Sequence, residues 1–287
     1  AYRRIRNTFR YMLSNLYDFD FDKDAVKNFD DLLPVDKRAM AKLGIFLNKI
    51  NAAYDSYLFH QIYRMTYDYI SADLSNTYMD IVKDRLYSDK PDSHRRRSAQ
   101  TVLANILEVF VRVLSPILSF TCEEVWECYP EGLKKNGHEE SVQLAGWPTL
   151  EDFCPMLPES SEEILYEIIR DFEPGFYLRN LVTKALEDER NAGNINKSQE
   201  ACVVVKAPKD MLDIYESYGK LTLLPLFIVS EIEFEEIPGE GEEAVKVEIK
   251  KAEGERCPRC WNHLELIDIN GERLCERCHD ALGHKCP

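Results

Sequence analysis

The chain has 287 residues, 45% hydrophobic and 30% charged, with a net charge of −15. That length points to two or three domains, and no apolar run reaches the ~20 residues of a transmembrane helix, which excludes the membrane class. The charge argues against general nucleic-acid binding, because phosphate contact needs Lys and Arg. It is an average, however. Eight Glu face one Lys across 231–248, while Arg3, Arg4, Arg6 and Arg10 cluster at the start and Arg95, Arg96 and Arg97 form a run. An acidic chain with such patches can still bind RNA on one defined face.

The opening A-Y-R-R-I-R-N is charged and helical in pattern, unlike a signal peptide, and its lack of an initiator Met suggests a fragment or a processed chain. In the first helix Tyr2, Ile5, Phe9, Met12 and Leu16 form one apolar stripe. Arg3, Arg6 and Arg10 share another face. Such a row is either a solvated face or a set of phosphate contacts. Pro34 precedes a second helix over 36–56, with Ala39, Leu43, Phe46, Leu47, Ile50 and Tyr54 inward. An aromatic-rich third helix is predicted over 58–86; its tyrosines read as core or as base-stacking platforms. The loop 87–94 leads to a helix over 95–114, ended by Pro116. Thr121 and Glu124 then have the spacing of a capping box. Residues 1–130 thus read as an antiparallel helical bundle.

Gly132, Gly137, Gly146, Pro148, Pro155 and Pro158 mark a connector over 131–159, with a short extended piece at 141–147. Residues 160–250 read as a small α+β domain. Helices are predicted over 162–171, 175–191 and 211–220, and strands over 201–206, 226–235 and 244–250.

The remaining 251–287 hold the most specific signal in the chain. Cys257 and Cys260 form one Cys-x-x-Cys pair, and Cys275 and Cys278 a second. Two such pairs can supply four thiolates to one tetrahedral zinc ion, and a four-thiolate site is closed to water and substrate, so the metal is structural. Between the pairs, 264–271 reads as a hairpin turning at Asn270-Gly271, the layout of a zinc ribbon or knuckle. A redox dithiol pair and an iron–sulfur cluster are the rival readings, and His263, His279, His284 and Cys286 could each replace a ligand. His279 is expected on the surface. The other cysteines, Cys122, Cys128, Cys154, Cys202 and Cys286, are scattered. That pattern speaks against a secreted disulfide framework and for a reducing, cytoplasmic setting. Trp261 follows a ligand directly, with Arg256, Arg259, Arg273 and Arg277 in the same segment. It either packs on the metal loop or stacks on an unpaired base.

The fold class is therefore mainly α: a helical bundle, a small α+β domain and a C-terminal zinc ribbon. No phosphate-binding, dinucleotide, nucleophile-elbow or metalloprotease motif occurs, so no catalytic residue is assigned and a binding module is favoured over a complete enzyme.

Several stretches resemble the C-terminal region of bacterial isoleucyl-tRNA synthetases. They are Y-R-R-I-R-N-T-F-R-Y-M-L-S-N-L at 2–16, Y-M-D-I-V-K-D-R-L-Y at 78–87, R-R-S-A-Q-T-V-L at 96–103, S-P-I-L-S-F-T-C-E-E-V-W at 115–126, V-T-K-A-L-E-D-E-R at 182–190, and the C-P-R-C-W and L-C-E-R-C segments. The resemblance spans nearly the whole chain and is specific by its combination. It implies the anticodon-binding region of an ATP-dependent ligase that charges tRNA(Ile) with isoleucine, as a monomer. ATP binding and catalysis would belong to a catalytic domain preceding this chain, because the family's H-x-G-H and K-M-S-K-S motifs are absent here. By the resemblance Arg3, Arg6 and Arg10 fall on the helix that begins the anticodon-binding bundle, and Trp261 on the tryptophan that meets the anticodon stem-loop; with Arg259 they are the expected tRNA-binding residues. The chain departs from the family pattern at Asn194–Gln199, where Ile-Gly-Lys-Ser-Leu is usual, so that turn is expected to be reshaped and no contact is rested on it. The alternative is a zinc-stabilised helical module that binds protein and has no RNA role.

Overall fold

The computed structural model describes residues 2–134, 138–150 and 161–284. Gly137, Cys154, Pro155, Pro158 and Cys286, singled out above, lie outside them. Contacts divide the chain into two compact units, 1–86 with 91–169 and 87–90 with 170–287.

The first unit is the helical bundle. Helix α1 (Tyr2–Asn15) buries Ile5, Phe9 and Met12, and Leu16 just beyond it. Helix α2 (Pro34–Asp55) starts on a proline, whose missing N–H is no loss in a first turn. Then come α3 (Phe59–Asp68), a π-helical stretch Tyr69–Tyr78, α4 (Met79–Ser88), α5 (His94–Leu114), α6 (Ser119–Glu127) and α7 (Glu162–Asp171). Helix α5 is central: Val102, Leu103, Ile106, Val109, Phe110 and Val113 are all buried. Ser93 caps it, accepting a bond from the Arg96 amide at 3.3 Å. Leu165 of α7 packs into this same core.

Three expectations are corrected here. The continuous helix over 58–86 is interrupted by the π-helical stretch, in which Ile70, Leu74 and Tyr78 recur every fourth place and face the core under i→i+5 bonding. Thr121 does not cap: it lies inside α6, and its hydroxyl pairs with the Tyr2 hydroxyl at 2.9 Å. The piece at 141–147 is a turn, closed by Leu144 N–H to Ser141 C=O at 3.0 Å.

A buried polar cluster pins three helices together. Asp36 is fully buried, accepts 2.8 Å bonds from Arg85 and the Tyr78 hydroxyl, and also bonds Ser98. Burial, then the Asp36 charge, pushes the Tyr78 phenol well above its usual pKa. The Arg95–Arg97 run is partly consumed inside the bundle: Arg96 and Arg97 both pair with Asp18, and Arg97 also with Asp24.

The second unit opens with α8 (Glu173–Asn191). A three-stranded sheet follows, order β2-β1-β3. Strand β1 (Ala201–Ala207) is buried on both faces, as its A-C-V-V-V-K-A run predicts. It pairs parallel with β2 (Glu231–Glu236) and antiparallel with β3 (Lys246–Lys251). The parallel step needs a crossover, supplied by α9 (Lys209–Tyr218) and α10 (Lys220–Phe227). The strand expected from 226 is thus corrected. Residues 220–227 are helical, and Ile228, left-handed at φ 61°, ends the helix by donating to the Leu224 and Pro225 carbonyls.

The zinc segment comprises β4 (Glu255–Arg256) paired with β5 (His263–Leu264), a hairpin of β6 (Ile267–Ile269) and β7 (Glu272–Leu274), and α11 (Glu276–Ala281). Asn270 and Gly271 both have positive φ, 56° and 85°, the conformation a two-residue type I′ turn requires.

Candidate metal centre and nucleic-acid interface

Two loops deliver the cysteines. In the first, the Cys257 amide donates to the Asn262 carbonyl and the Trp261 amide to the Cys257 carbonyl, each at 2.9 Å. The chain curls round Cys257 and Cys260 and turns their sulfurs inward. In the second, α11 starts at Cys275, and the amides of Cys278 and His279 donate to its carbonyl at 3.0 Å. All four sulfurs are buried and lie within 4.8 Å of one another. Cys260 and Cys275 are 3.7 Å apart, far beyond a disulfide bond. With Zn–S near 2.3 Å, a tetrahedron has an S–S edge of about 3.8 Å. The cluster therefore fits one zinc ion, and no oxygen or nitrogen ligand completes it among the described residues.

The sulfurs interact strongly. Hydrogen bonding with Cys275, then Cys278, holds Cys260 well below the ordinary thiol range, and contact with Cys260 pushes Cys275 up. Bound zinc would ionise all four and leave a net charge of about −2. A cation is in place to offset it: Arg259 donates to the Cys278 sulfur at 3.5 Å and to the Ser88 carbonyl. By contrast, burial pushes Cys122 up to about 12 and Cys202 up to about 11, so both are inert thiols.

His279 corrects the expectation of a surface residue. It is fully buried, with Nε2 2.8 Å from the Ile267 carbonyl and Nδ1 3.0 Å from Nδ1 of His284. It follows Cys278 on α11, and its ring braces the hairpin instead of joining the sulfur cluster.

Trp261 is 47% exposed and left-handed at φ 68°, a conformation rare for any bulky residue. Lys197 Nζ lies 4.1 Å from its ring centroid and the Arg256 guanidinium 5.3 Å. Lys197 belongs to the turn where the sequence departs from the family pattern and on which no contact was rested. The two residues are far apart in sequence, so no spacing signals the pair.

On α1, Arg3, Arg6 and Arg10 are all exposed. Arg6 makes a two-pronged pair with Glu124 at 2.6 and 2.7 Å. Arg3 and Arg10 have no carboxylate partner among the described residues. The structure thus gathers the basic face of α1 within the first unit, and Trp261 and Arg259 within the second.

Residues 36–205 match the family model for the anticodon-binding domain of tRNA ligase, and residues 254–281 match a zinc finger found in FPG and IleRS. The chain is similar to the isoleucine–tRNA ligase of Persephonella marina, 38% identical over 98% of this chain and 29% of the relative. The one from Brachyspira hyodysenteriae is 39% identical over 98% and 29%, and that from Staphylococcus carnosus 40% over 99% and 30%. The chain spans about 30% of the length of these curated relatives. No helix among the described residues is long and apolar enough to cross a membrane.

Proposed function

The chain belongs to the family of tRNA-ligase anticodon-binding domains, and from that premise we propose that it is the tRNA-recognising C-terminal region of an isoleucine–tRNA ligase. The ligand is the anticodon stem-loop of tRNA(Ile). Isoleucine activation with ATP falls to a catalytic domain of the same parent protein, which acts as a cytoplasmic monomer, and this region alone is catalytically inactive.

One observation carries the reading. The zinc knuckle projects an exposed indole in a strained conformation, with two cations over it. Single-stranded RNA loops offer unstacked bases to such a surface, and stacking is tolerant of sequence. Arg3 and Arg10 supply phosphate contacts along α1, which fix register and carry no base identity, and Arg6 joins them only by exchanging its Glu124 pair for a phosphate. Arg259 acts from behind, joining the zinc cluster to the segment that carries Trp261. The metal holds this surface together and takes no part in chemistry.

The test is a binding titration of the chain with tRNA(Ile) and with the same tRNA mutated in its anticodon. Tighter binding of the intact anticodon, weakening steeply with salt, is expected. Equal affinity for both, or no salt dependence, would sink the reading and favour a protein-binding module.

A further inference from the structure

We propose that Lys197, Arg256 and Trp261 form one composite nucleotide clamp, in which the indole stacks a base and the two cations hold the flanking phosphates. The proposal rests on the RNA-binding reading above and assigns the two cations over the indole a role that this reading leaves open.

Within the zinc segment the other three arginines are engaged. Arg273 pairs with Glu255 at 2.6 Å and Arg277 with Asp89 at 3.2 Å, while Arg259 is committed to the Ser88 carbonyl and the Cys278 sulfur. On the sheet, Lys206 pairs with Glu248 and Lys250 with Glu233. Lys197 and Arg256 have no carboxylate partner among the described residues, in a chain with 51 acidic and 36 basic residues. Both lie over the same exposed indole, 4.1 and 5.3 Å from its centroid. Their charges are therefore within about 10 Å of each other, near the Debye length, and repel. An exposed cation–π contact returns only ~0.5–1 kcal/mol. Two like charges held on one apolar plate suit an anionic ligand that also has a flat face.

The arrangement is braced by the backbone. Lys197 immediately precedes the 3-10 turn Ser198–Glu200. The Glu200 carbonyl accepts the Ala252 amide at 2.8 Å, at the entry to the zinc module. The Ser230 hydroxyl donates to the Gln199 carbonyl at 2.6 Å and accepts the His263 amide at 2.7 Å. Two links thus fix the Lys197 turn to both sides of the knuckle bearing Trp261. The lysine stem is flexible at its tip, so a stacking base can displace the ammonium from the ring toward a phosphate, while Arg256 holds the neighbouring one.

The test titrates the full 287-residue chain with the anticodon stem-loop of tRNA(Ile) across a salt series. Lys197→Met with Arg256→Met removes both charges and keeps apolar stems. Binding about tenfold or more weaker is expected at low salt. The log–log salt slope should be shallower by about 0.7 per lost contact, with zinc still one per chain. Lys197→Arg should restore most of the loss of Lys197→Met. If the double variant binds as tightly as the parent with the same slope while Trp261→Gly loses binding, the clamp is overturned and the anticodon reading stands. Loss of zinc from the double variant would assign the two cations to packing and also overturn it. A parent chain blind to the anticodon removes both proposals.

Discussion

Trp261 occupies a position where glycine would be at ease. At φ 68° a bulky side chain carries backbone strain of about 1–3 kcal/mol, and such strain persists only where the surroundings over-determine it. Here the two loop hydrogen bonds around Cys257 do so. If the indole were needed to build the knuckle, Trp261→Gly would release zinc. We expect the opposite: zinc stays at one per chain, measured by elemental analysis, because glycine accepts this conformation without strain. Binding of tRNA(Ile) falls by about 10- to 100-fold, the loss of one stacked base at ~1–3 kcal/mol. The four ligands were legible in the sequence because each pair is local. The burial of His279 and the cation over Trp261 were not, since both arise from residues that only folding brings together.

At the scale of elements, hydrophobic period located nearly every helix of the bundle, and the β-branched run located β1. It failed at 69–78 and 220–227 for different reasons. In the first, an apolar residue every fourth place fits both α and π winding, and only packing against α2 and α5 selects between them. In the second, 221–227 is apolar at every place but Thr222 and has no polar face, so helix and strand look alike until Gly219 and Ile228 fix the ends. The Asp36–Arg85 pair was equally hidden, since the two residues lie on different helices and no local spacing joins them. Their exposures are 0% and 3%, so neither charge has water to fall back on. Arg85→Met leaves Asp36 buried with only hydroxyl partners. The bundle should lose about 3–5 kcal/mol in urea unfolding. Replacing Arg85 and Asp36 together by Met and Leu should recover much of that loss, since the isolated charge is then gone. A single variant as stable as the parent would show that Tyr78 and Ser98 suffice to hold the carboxylate.

Across the whole molecule, the two ends of the chain draw their stability from different sources. The bundle has a continuous core of buried side chains running through α1 to α7. Among the described residues, the zinc segment has Leu274 and the four cysteines, with Leu264 and Leu266 packed against them. A core that small cannot offset the conformational entropy of ordering residues 254–281, at ~1–2 kcal/mol per residue. Metal binding at four thiolates supplies an apparent ~10–16 kcal/mol and can. Chelation should therefore melt the zinc segment alone. Hydrogen exchange is expected to rise across 254–281 while α5 keeps its protection, and most of the far-ultraviolet helical signal should remain. Binding of tRNA(Ile) should weaken at the same chelator concentration, because the loop that orients Trp261 is gone. Slow exchange persisting at 254–281 after zinc removal would mean that the Arg259, Arg277 and Lys90 contacts with 88–90 and Asp280 hold the module without metal. The zinc would then be a late addition to a folded unit instead of its cause.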